Sequence, residues 1–114
     1  MDDTYLEPDM MYVSHALRAR MGGRRTSADI VFEYVSRSGA TYDRTTKADT
    51  YLAVGVGELW LIDPHTVTID VRHAVTGGPL PVWEARRYGA GQWAESWVLP
   101  GWRVSVDALF AGLV

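Results

Sequence analysis

The sequence predicts an α+β fold: a mixed β-sheet with a crossover helix, antiparallel C-terminal strands and a short terminal helix. Three observations predict it. Residues 28–36, ADIVFEYVS, are largely apolar on both faces, as suits a central strand covered on two sides. A helical segment and a second apolar strand, ELWLID (58–63), follow, and strand–helix–strand at this length suits a crossover between parallel strands. After Pro64 come short strand-like segments divided by Gly-rich turns, the pattern of antiparallel pairing.

A chain of 114 residues predicts one domain, 1–114, with a real core. Its 47% hydrophobic and 22% charged composition is ordinary for a soluble globular protein. No apolar run approaches the roughly 20 residues of a membrane helix, and the acidic start MDDTYLEPD is not a signal peptide, so a cytoplasmic protein with no membrane contact is expected. Without cysteine there are no disulfides and no thiolate metal sites. A formal net charge of −3 gives no global pull toward nucleic acid, so any DNA contact must be local. Five Trp and six Tyr are many for this length and suggest contacts between subunits.

Residues 9–14, DMMYVS, read as a strand with Asp9, Met11 and Val13 on one side. Residues 15–27, HALRARMGGRRTS, read as a polar connector turning at Gly22-Gly23. If the strands on either side form a hairpin folded about Met21–Gly22, residues whose numbers sum to about 42 face each other. Asp9 then lies opposite Glu33, with Cβ atoms about 4.5–5.5 Å apart. A slip of one residue would separate the two acids. After a loop at 37–42, a helix is expected from Asp43 to Val54, with Thr41 or Asp43 near its cap and Gly55 ending it. Asp43, Lys47 and Tyr51 stack along one side of it, beside an apolar stripe of Ala48, Leu52 and Val56. Strands are expected at 58–63, 67–74, 81–89 and 93–99, with Asp63 forming the turn before the second of these. Ser105 caps a terminal helix, SVDALFAGL.

Two carboxylates on adjacent strands with one lysine form the kit of a metal-dependent phosphodiesterase. Asp9 and Glu33 can ligate Mg²⁺ through oxygen, leaving most coordination sites to water and phosphate, with a main-chain carbonyl near Glu33 as a further donor. Lys47 can orient the attacking water or neutralise charge growing on the phosphate. The same residues also read as a buried Glu33–Lys47 ion pair with Asp9 merely ending a strand, and spacing alone does not separate the two. Arg18, Arg20, Arg24 and Arg25 can touch DNA phosphates, although a solvated loop is the simpler reading in an acidic chain. The three histidines have no mutual metal spacing.

Pro8-Asp9, then ADIVFEYVS, then D-x-x-x-K-x-x-x-Y (43–51) and GVGELWLIDP (55–64), resemble the Uma-two restriction endonuclease family of the PD-(D/E)XK nuclease superfamily. Ser96, LPG (99–101) and Leu109-Phe110 extend the resemblance into the tail. It implies a restriction-endonuclease-like core and an endonuclease that hydrolyses DNA with Mg²⁺ or Mn²⁺. Asp9 would be the metal-binding aspartate and Glu33 the acid of the second strand, and Asp29 and Ser36 match further family positions. The usual lysine two residues after the acid is Val35 here, and Lys47 on the following helix fits its place. Family members carry a further N-terminal portion before the PD strand, so this chain is expected to be N-terminally shortened. Residues 9–14 would then form an open edge completed by a second copy, as a homodimer or a swapped assembly. The alternative is a non-catalytic relative that keeps the fold for oligomerisation or binding.

Overall fold

Alternation within residues 30–34 sets the architecture, because Ile30 and Phe32 enter one core and Val31 and Val35 another. The computed structural model describes residues 9–22, 27–35 and 40–112. Five strands, β1 (Met10–Tyr12), β2 (Ile30–Tyr34), β3 (Glu58–Asp63), β4 (Thr68–Val75) and β5 (Val82–Tyr88), form one sheet in that order. β2 and β3 are parallel and the other pairs antiparallel. Helix α1 (His15–Met21) lies between β1 and β2, and α2 (Ala40–Ala53) makes the crossover from β2 to β3.

Each face of the sheet has its own cover. On the front, Ala48 and Tyr51 of α2 pack with Val31, Val35, Leu59 and Leu61. On the back, Phe32, Trp60, Ile62 and Val71 are covered by a two-stranded sheet, β6 (Trp93–Glu95) with β7 (Arg103–Ser105), and by helix α3 (Val106–Ala111). Ser105 caps α3 as expected, its hydroxyl accepting from Ala108 N–H at 3.2 Å. The β1–β2 register is the expected one, since Met10 faces Phe32, Met11 faces Val31 and Tyr12 faces Ile30, each pair summing to 42.

Three expectations need correction. The connector after β1 holds a helix, because Ser14 accepts from Leu17 N–H at 3.2 Å and Gly22, at φ 61°, donates to Arg18 O at 3.2 Å. Helix α2 begins at Ala40, three residues before Asp43. The segment 93–99 does not continue the antiparallel sheet: its strand stops at Glu95 and pairs with β7. The reason is Glu58, whose carboxylate draws in the Ser96 hydroxyl (2.7 Å) and the N–H groups of Trp97 (2.6 Å) and Val98 (3.1 Å), bending the chain onto the end of β3.

The β3–β4 turn is built by Asp63, whose Oδ1 accepts from His65 N–H at 2.9 Å and Thr66 N–H at 3.3 Å. It places Val67 at φ 53°, a left-handed conformation costly for a β-branched residue. Val67 is exposed, so little apolar burial is at stake. Val67→Asn is expected to stabilise the protein by about 1 kcal/mol, a rise of a few degrees in Tm by calorimetry.

Candidate active site

Glu33 sits one residue from the end of β2 and faces the front layer. It is buried among Val31, Val35 and Leu61, so its charge needs partners. Helix α2 supplies two from one side, four residues apart. The Tyr51 hydroxyl donates to Glu33 Oε1, and Lys47 Nζ stands 3.8 Å from Glu33 Oε2. Tyr51 is buried and its hydroxyl holds Glu33, whereas the Lys47 side chain is 49% exposed. The Glu33–Lys47 contact is therefore an open pair at the rim of the helix, not an ion pair sealed in the core.

Asp9 supplies the second acid. The β1–β2 register, carried one residue past Met10, sets it opposite Glu33, and the Tyr34 N–H donates to Asp9 Oδ2 at 2.7 Å. Burial pushes the Glu33 pKa up from its ordinary 4.5; the Tyr51 hydrogen bond and the Lys47 charge pull it back, and the nearby Asp9 carboxylate raises it again. The Tyr51 pKa is also raised, by burial and then by its bond to Glu33, so the phenol remains a donor.

Two adjacent carboxylates, one buried and facing only one lysine, fit a small divalent cation. Among the described residues no group of three or more His, Asp or Glu converges, so no all-protein metal cage is formed there. Mg²⁺ is commonly held by one or two carboxylates, with water and phosphate completing its shell. Asp9 and Glu33 match that donor set.

The other expected residues among those described, Asp29, Arg18 and Arg20, lie apart from this pair. Asp29 accepts from Ser14 N–H at 2.6 Å and so fixes the start of α1. It precedes Glu33 by four strand residues, about 13 Å. Arg18 and Arg20 belong to α1, which leaves β1 at its far end from Asp9. Ser36, Arg24 and Arg25 lie outside the described residues.

Sequence reasoning missed two features. One is Glu58, fully buried, which also accepts from Trp60 Nε1 at 2.7 Å. The other is a front-face ionic group, Asp70 with Arg72 and Arg87, which joins the row Glu33–Leu61–Asp70–Arg87 across β2 to β5. Charges at alternate positions of β4, at 70 and 72, were the available signal.

A search among curated proteins returns no match. Among solved structures the chain is similar to a crystal structure described as "a putative nuclease belonging to DUF820 from Anabaena variabilis ATCC 29413", with a TM-score of 0.57 and 22% identity. The likeness covers 77% of this chain and 46% of that one, so this chain spans less than half of that protein's length, and at this identity it shows the fold. The family model Uma2, described as "Putative restriction endonuclease", matches residues 1–107. With residues 1–107 matched, nearly all of its length, the chain belongs to the Uma2 family, described as putative restriction endonucleases.

Proposed function

We propose that this single domain, 1–114, is a metal-dependent endonuclease that hydrolyses DNA phosphodiester bonds, with Asp9 and Glu33 as ligands of Mg²⁺ or Mn²⁺ and Lys47 as the catalytic base-side cation. The observation that carries this reading is the meeting of three side chains from three separate elements at one rim of the sheet. A bound divalent cation would lower the pKa of a water ligand and offset charge on the phosphate oxygens. Lys47 supplies a mobile positive charge at the same rim, where it can hold the attacking water or the phosphate oxygen that gains charge. Tyr51 fixes the Glu33 carboxylate through its hydroxyl, and the Tyr34 N–H fixes Asp9.

Nicking of supercoiled plasmid tests it. Wild type is expected to nick in Mg²⁺ or Mn²⁺ and not in EDTA. Lys47→Ala is expected to lose about 10²–10³-fold in rate while calorimetric titration still shows the heat of metal binding. A wild type that gives no metal-dependent heat would leave the non-catalytic relative standing.

The same reading includes self-association. β1 is an edge strand among the described residues, with Met10 53% and Tyr12 38% exposed on its back side next to an exposed Tyr34. A second copy pairing along this edge would cover them. Sedimentation velocity is expected to show a dimer that Met10→Lys shifts to monomer; an unchanged profile would remove β1 from the interface.

A further inference from the structure

We infer that Arg87, aimed by the buried Asp70, is a second phosphate-binding point for the nucleic acid, lying on the same row of the sheet as the acid pair. This rests on the nuclease reading and adds to it where the substrate runs. Glu33 faces Leu61, Leu61 faces Asp70 and Asp70 faces Arg87, so all four share the front face. Three interstrand steps separate Glu33 from Arg87, about 14 Å, on the order of four base-pair rises of a duplex. Leu61, between Glu33 and Asp70, is buried under α2, so a substrate seated on Asp9 and Glu33 would reach Arg87 by passing over the covered middle of the row.

The local charges favour an anion. Asp70 has a 13% exposed side chain and holds one guanidinium on each oxygen: Arg87 Nε at 3.4 Å from Oδ1 and Arg72 Nη2 at 3.7 Å from Oδ2. One acid against two arginines leaves the group one positive charge in excess. The Arg72 side chain is 26% exposed, with Nε buried and without a hydrogen-bond partner, so it serves the group from below. Arg87 is the outward member, 65% exposed. Its Nε is turned to Asp70, and no contact among the described residues engages its terminal nitrogens. A guanidinium anchored through Nε and open at both terminal nitrogens is arranged for the paired hydrogen bonds that phosphate oxygens accept. Asp70 is thus a positioning residue and Arg87 the contact. The α1 arginines Arg18 and Arg20 lie off this row.

Fluorescence anisotropy of a labelled 20-base-pair duplex (~20, within the 20–30 base-pair range of typical sites), with Ca²⁺ replacing Mg²⁺ and salt varied, tests this. Arg87→Ala is expected to weaken binding about tenfold for any sequence and to lower the salt slope by about one, with an unchanged melting temperature. Arg20→Ala is expected to change binding less than about twofold. Asp70→Asn gives the contrast: it removes a negative charge, which by charge alone would tighten binding, whereas loss of aim weakens it. Arg87→Ala matching Arg20→Ala would overturn the inference while leaving the nuclease reading intact, and tighter binding by Asp70→Asn would overturn the positioning role. A wild type that binds no duplex would defeat the nuclease reading and this one with it.

Discussion

Glu58→Ala is expected to destabilise the protein by about 3–5 kcal/mol, measured as a fall in the urea midpoint followed by tryptophan fluorescence. Glu58 is fully buried at the start of β3, yet four donors converge on its two oxygens. Oε1 takes the Trp97 and Val98 N–H groups, and Oε2 takes the Trp60 indole N–H and the Ser96 hydroxyl. Alanine would leave these donors without their acceptor inside a dry layer, where an unmade hydrogen bond costs more than a made one contributes. A domain of ordinary stability has only about 5–15 kcal/mol to lose, so the variant is expected to sit near unfolding. Glu58→Gln separates shape from acceptor count. It retains the volume but turns one oxygen into an NH₂ group, which must face either two main-chain N–H groups or the Trp60 indole. It is expected to fall between wild type and alanine. A loss below about 1 kcal/mol for Glu58→Ala would show that water or a shifted backbone replaces the carboxylate.

The contrast between Glu58 and Glu33 marks what the sequence discloses. Alternation and turn position sufficed to set Asp9 opposite Glu33, because a hairpin register with one buried face has few alternatives. The crossover was legible for the same reason: two apolar strands around one amphipathic helix leave little choice but parallel pairing. Lys47 and Tyr51 were readable as neighbours by their helical spacing, but which of them takes the inner position on Glu33 depends on how α2 rolls against the sheet. Helix α1 was hidden by composition, since its arginines and the following glycines imitate a loop, while Ser14 and Gly22 are in fact its two caps. Glu58 could not be assigned from local pattern at all. Three of its four donors lie 38 to 40 residues away, so a buried acid at the head of an apolar strand acquires most of its partners only when the tail folds back. Asp70 and Arg87 share that limit, because their pairing follows from the β4–β5 register.

On the proposed metal-dependent reading, replacing Glu33 by glutamine is expected to raise the melting temperature of the metal-free protein at neutral pH while reducing metal-dependent cleavage by about 10³-fold or more. Burial is the main cause of the raised Glu33 pKa, and the Asp9 charge adds to it. The folded chain therefore holds this proton more tightly than the unfolded chain does. The stability that follows is fully present below the unfolded value of 4.5 and is lost as pH rises through the higher folded value. At neutral pH the ionised, metal-free Glu33 is then a net cost, one that glutamine does not carry. The advantage of Glu33→Gln should shrink toward zero as the pH is lowered to the unfolded value. Mg²⁺ or Mn²⁺ should reverse the order, because the cation requires the ionised acid. At a metal concentration a hundredfold above Kd, wild type gains about 2.7 kcal/mol and the variant gains little. The alternative, a Glu33–Lys47 pair kept only for stability, demands the opposite sign: glutamine would then lower the metal-free melting temperature at neutral pH, and added Mg²⁺ would leave wild type unmoved. Calorimetry of the two proteins at neutral pH and near pH 4.5, each with and without metal, distinguishes a site held ready for a cation from an ion pair that is an end in itself.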